Sequence, residues 1–195
     1  MITRARWIVG IAVGAIWGAA CTASSGTEPS LVSEDGGADV VVEAASGEAC
    51  DEACRKTALS ATFGGSSRPL DRAQFGLDEV DAGPSFHVEA HQGGIPECPT
   101  ENSPSPDRTI VFVGVPRGGA GSVATTADGV RATYLDFKGD HITEPLVRAT
   151  AVTVTVVARD ASEPPAWVAF DVSATFENGS VRGHVYATFC QSLSL

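Results

Sequence analysis

The chain has 195 residues, with 13 Lys and Arg against 24 Asp and Glu, a formal net charge of −11. That balance lacks the clustered positive charge that nucleic acid demands, so a nucleic-acid partner is not expected. The length suits one folded domain with a genuine core, plus a leader.

Arg4 and Arg6 make a short positive start, and Trp7 to Trp17 is apolar or glycine throughout. Gly18, Ala19, Ala20 and Cys21 follow. A charged start, an apolar run and small residues at a cleavage point are the parts of a secretory signal. The run is about half the roughly 20 residues that a membrane-spanning helix needs. Residues 1–20 are therefore read as a signal peptide. The small residues before Cys21 resemble a bacterial lipobox, in which the cysteine becomes the lipid-bearing N-terminus. Gly18 departs from the usual pattern, which has an aliphatic residue three places before the cysteine. The alternative is ordinary cleavage near Ala20, which releases a soluble secreted protein.

Residues 21–49 are rich in Ser, Gly, Ala and acid: Glu28, Glu34, Asp35, Asp39, Glu43 and Glu48, with no Lys or Arg. Such a stretch buries too little apolar surface to order itself, and its charges repel. It reads as a disordered tether. Val40, Val41 and Val42 are its one apolar cluster and a candidate for an isolated strand.

Residues 50–195 form the expected domain. Its cysteines are Cys50, Cys54, Cys98 and Cys190. An even number in an exported chain is read as disulfides, and four allow three pairings. The expected pairing is Cys98–Cys190, with Cys50–Cys54 as a local bridge. An i, i+4 bridge strains a continuous helix, so it requires a bent segment there.

Residues 48–60 have a mixed pattern and are assigned one short helix, with Gly64-Gly65 as its stop. Beyond it, period-two alternation dominates, in runs 86–91, 109–115, 130–138, 149–159, 168–176 and 181–190. Asn178-Gly179 lies between the last two, which predicts a tight hairpin turn. Pro164-Pro165 interrupts the chain before the first of that pair. The expected fold is all-β: an antiparallel β-sandwich or open barrel of about seven or eight strands. Residues 92–108 hold four prolines and two glycines, and with Cys98 inside they read as a long pinned loop or crossover.

The segments RPLDRAQFGL (68–77), FHVEAHQGGIPECPTENSPSPDRTIVFVGVP (86–116) and YLDFKGD (134–140) resemble a group of small bacterial lipoproteins of unassigned function. The resemblance covers about the first two thirds of the domain. It favours the lipoprotein reading and implies no activity.

Several residue sets bear on chemistry. His87, Glu89 and His91 share one face if the segment is a strand. Two of them could ligate one metal, with His184 as a partner from the last strand; the competing reading is a solvated polar face. The glutamate is displaced by one place from the HExxH of zinc proteases. Asp136, Asp140 and His141 flank a turn, where they could bind calcium or act as acid and base, although turns collect such residues for geometric reasons. Trp167 follows the proline pair and could mark a rim for a glycan or protein, or cap the core edge; Tyr134 is a strand aromatic. Nothing fixes a nucleophile with its base, so no catalytic residue and no cofactor is assigned. The expectation is an exported protein, lipid-anchored through Cys21 to the cell envelope, with the outer membrane as its address. Its non-enzymatic domain binds a protein or glycan partner. The alternative is an exported metal-dependent enzyme using the His87/Glu89/His91 face.

Overall fold

The computed structural model describes residues 50–80 and 83–195. The segments read as signal peptide and tether, with Cys21 and the Val40–Val42 cluster, lie outside the described residues.

Among the described residues, eleven strands form one sheet: β1 (Ala58–Phe63), β2 (Ser66–Leu70), β3 (Arg72–Val80), β4 (Gly83–Gln92), β5 (Arg108–Pro116), β6 (Val123–Thr125), β7 (Arg131–Asp136), β8 (Leu146–Arg148), β9 (Ala151–Arg159), β10 (Trp167–Phe176) and β11 (Gly179–Phe189). Nine of them run in the order β6-β9-β10-β11-β3-β4-β5-β7-β8; β1 pairs off β11, and β2 off β1. The sheet curls into a half-barrel. The all-β expectation is met as an open barrel. Every pairing is antiparallel except β11 with β3.

The short strands beyond the expected number have a common cause. β6 and β8 have three residues each, and β2 reads SSRPL, so none carries a usable alternation. Their ladder partners make them strands. β3, nine residues with Ala73 and Phe75 turned into the core, is a further strand that the predicted alternating runs do not include. β1 corrects the helical assignment: residues 52–55 form a turn closed by Cys50–Cys54, and Leu59, Ala61 and Phe63 then alternate into the core. The Cys50 and Cys54 Cα atoms are 5.2 Å apart, a spacing suited to a bridge. Gly64 and Gly65, at φ 55° and 80°, are the two turn residues of the β1–β2 hairpin, not a helix stop.

The β10–β11 hairpin forms as expected, but its turn is Glu177-Asn178, because Phe176 pairs with Gly179. Gly179 serves another purpose. A Cβ there would overlap the Phe63 ring and the Thr62 carbonyl of the adjoining β1, so only glycine lets the two strands close.

The inward residues make one core. Phe75, Phe86, Phe112 and Phe170 are fully buried, with Phe75 and Phe86 4.9 Å apart and Phe112 and Phe170 5.9 Å apart, both edge to face. Each such side chain contributes about 1.5–3 kcal/mol by leaving water. On the outer side, the Cys50–Cys54 bridge packs with Ala158, Ala169, Trp167 and Tyr186 as a second, smaller cluster. Among the described residues, no helix is long and apolar enough to cross a membrane.

Candidate functional site

Strand alternation on β4 sends Phe86, Val88 and Ala90 into the core and leaves His87, Glu89 and His91 on the outer face, as the sequence spacing predicts. Glu89 lies between the two imidazoles. Its Oε1 accepts from His87 Nε2 at 3.1 Å, and its Oε2 faces His91 Nε2 at 3.8 Å. His91 Nδ1 is 2.9 Å from the Thr109 hydroxyl on the neighbouring β5. Burial lowers the His91 pKa; the Glu89 charge opposes that shift and the Arg72 charge adds to it.

His184 does not join this face. Its Nδ1 lies 2.8 Å from Asp171 on β10 and its Nε2 2.9 Å from the Cys54 carbonyl. The expected fourth member of a metal site is thus committed elsewhere: β11 places it against β10 and the disulfide turn. Among the described residues, no group of three or more His, Cys, Asp or Glu is arranged to hold a metal ion.

What the β4 face has instead is a roof. The loop from Gly93 to Asp107 folds back over β3, β4 and β5. Cys98–Cys190 ties it to the chain end, with Cα atoms 5.5 Å apart. Arg72 donates to the Gly93 carbonyl, Gln74 Nε2 to that of Pro96 at 3.1 Å, and Ser192 to that of Pro99 at 2.6 Å. These contacts explain why Gln74 is buried although it points out of the barrel. Beneath the roof is a cavity of about 190 Å³ between Glu89, His91, Val111, Leu135, Ile95 and Pro104. Beyond the Gln74 strut, a second cleft of about 440 Å³ runs toward Tyr186.

The turn residues resolve differently. Asp136 and Asp140 converge on Arg108, a residue the sequence reading did not single out. Arg108 is 2 % exposed, its Nε is 3.5 Å from Asp136 Oδ1, and it also bonds Asp140 and Gln92. Asp136 Oδ2 accepts from the backbone of His141 at 2.7 Å and Ile142 at 3.2 Å. Burial pushes the Asp136 carboxyl up, but the N–H groups of His141, Ile142 and Gly139, with Arg108, outweigh it and hold the group below the usual range. His141 Nε2 donates to the Ser66 carbonyl at 3.0 Å, so its Nδ1 accepts from the Tyr134 hydroxyl at 2.7 Å. Burial pushes the Tyr134 phenol up. Every one of these side chains is bonded to another part of the fold, which makes this cluster a brace for the 137–145 turn. The register that pairs Arg108 with Asp136 belongs to the folded sheet; the sequence itself carries only an arginine ahead of the apolar run 109–115.

Trp167 stacks on Tyr186 with ring centroids 5.6 Å apart and 26° between planes. It stays partly exposed at the edge of the small outer cluster rather than standing alone as a platform.

Comparison with protein-family models, curated proteins and solved structures finds no match for this chain.

Proposed function

We propose that this protein is an exported, lipid-anchored binding protein of the bacterial envelope, whose half-barrel takes up a protein or glycan partner. The observation that carries the reading is the disulfide-pinned roof over the outer face of β3, β4 and β5. A loop tied by Cys98–Cys190 and three side-chain bonds stands over ready-made clefts, the preorganisation that favours binding. The two disulfides suit an oxidising compartment, in keeping with the export signal read in residues 1–20. The resemblance to small lipoproteins points the same way.

Two polar contacts span the roofed face, and His87 Nδ1 is buried beside them without a hydrogen-bond partner. Glu89 is bonded to His87 and His91 is bonded to Thr109.

Two measurements test the proposal. Mass spectrometry of the mature N-terminus is expected to find a diacylglyceryl-modified Cys21; an unmodified N-terminus beyond it would make the protein a soluble secreted one. A tagged chain is expected to retain a specific envelope protein or glycan, and to lose it when Cys98 and Cys190 are both serine. Retention that ignores the bridge would remove the roof from the function.

A further inference from the structure

β11 changes partners along its length. Its first part pairs with β1, in register Ala58 to His184, and its last part with β3, from Ala187 to Ala73. β1 runs antiparallel to β11 and β3 runs parallel, so the ends of β1 and β3 meet at the change without being bonded to each other. The outer face opens there into the cleft of about 440 Å³.

The lining of this crevice is out of keeping with the chain's acidic charge. Arg55 and Lys56 reach it from the disulfide turn and Arg72 from the start of β3, against one acid, Asp71. Cys50–Cys54 fixes the turn, and Arg55 Nε donates to the Cys50 carbonyl at 3.1 Å, which leaves its terminal nitrogens for another acceptor. Lys56 touches Glu52 at 3.1 Å in an exposed pair that water screens. Three cations from two separate segments therefore face one cleft in a chain of net charge −11.

One wall is aromatic. Tyr186 lines the crevice, stacked on Trp167 and held in place as Thr57 Oγ1 donates to the Tyr186 carbonyl at 2.8 Å. A ring offers an apolar face with a polar rim, a surface that suits a sugar ring. Guanidinium and ammonium groups suit phosphate or carboxylate oxygens.

We propose that the crevice between the ends of β1 and β3 is a binding site for an anionic glycan, whose sugar packs on Tyr186 and whose phosphate or carboxylate meets Arg55, Lys56 and Arg72. This rests on the binding-protein reading above and names the ligand class for it.

The test is titration of the full chain in detergent with glucose 1-phosphate, galacturonate, inorganic phosphate and glucose, followed calorimetrically. At least one charged sugar is expected to bind, more weakly as salt rises, with glucose 1-phosphate and galacturonate separating a phosphate from a carboxylate preference. The double variant R55Q/K56Q alters two exposed side chains and should lower that affinity by about tenfold or more, with the thermal midpoint unchanged. R72Q should act in the same direction, and Arg148→Gln, a cation on β8 that does not line the crevice, should bind as wild type. Failure of both charged sugars to bind, equal binding of glucose, or affinity that survives R55Q/K56Q would overturn the site. Inorganic phosphate binding as tightly as glucose 1-phosphate would overturn the sugar contact. A chain that retains a protein or a neutral glycan yet ignores both charged sugars keeps the binding function and loses this inference.

Discussion

Arg108 carries its charge where water does not reach, neutralised by Asp136 and Asp140. Removing one partner of a buried ion pair leaves the other uncompensated, at a cost of about 3–5 kcal/mol. Arg108→Ala is therefore expected to lower the urea midpoint strongly, and R108M/D136N, which removes both charges, to lose less than Arg108→Ala alone. Asp136 adds a pH dependence with a definite sign. Its folded pKa lies below the unfolded value, so its stabilisation is complete above the unfolded value and disappears as pH falls through the folded one. Urea unfolding of Asp136→Asn across the acid range should show a shallower acid limb than wild type. His91 gives a second test at the same scale. Its pKa is lowered by burial, opposed by Glu89 and assisted by Arg72. NMR titration of the imidazole should place it below the ordinary histidine value, with Glu89→Gln moving it further down and Arg72→Gln moving it up.

Strands and bridges carry different loads. Cys98–Cys190 spans 92 positions and Cys50–Cys54 spans four. On the chain-entropy account the long bridge contributes about 4–5 kcal/mol and the short one about 2 kcal/mol. Unfolding curves for C98S/C190S and C50S/C54S should differ in that order, and intact-mass analysis should find no free thiol among the four before reduction. The glycines that let strands approach are equally specific. At Gly76 an added Cβ would overlap the backbone of Leu193 and Ser194, where the chain end runs along β3 and the Leu195 N–H donates to the Leu77 carbonyl at 2.9 Å. Gly76→Ala is expected to lift that segment and cost about 1–3 kcal/mol, read as faster amide exchange at Leu195. The alternation of β4, β5, β7, β9, β10 and β11 was legible because each buries one face. β2, β6 and β8 were not, because three to five residues with mixed burial leave no period to read. β1 was masked by the disulfide turn before it, whose mixed pattern resembles a helix start.

At the scale of the molecule, one curled sheet encloses one core and keeps its polar groups on the outer side or at the barrel end. The candidate site is built where elements distant in sequence cover that outer face: the 93–107 loop, the chain end and the disulfide turn. A metal-dependent enzyme would need a further ligand from another strand beside His87, Glu89 and His91, and His184 is bonded elsewhere. Metal analysis of purified protein is accordingly expected to show no stoichiometric zinc, and a one-to-one content would overturn the binding reading in favour of the enzyme.

The sequence alone determined the all-β class, the shared face of His87, Glu89 and His91, and the expectation of two bridges. Each depends on local alternation, or on cysteine number and separation, which the chain carries residue by residue. Tertiary structure decided the rest. Strand pairing set which strands became neighbours, and the β5–β7 register put Arg108 on Asp136. The switch of β11 from β1 to β3 brought Arg55, Lys56 and Arg72 around one crevice. Those groupings depend on contacts between distant segments, and no local pattern encodes them.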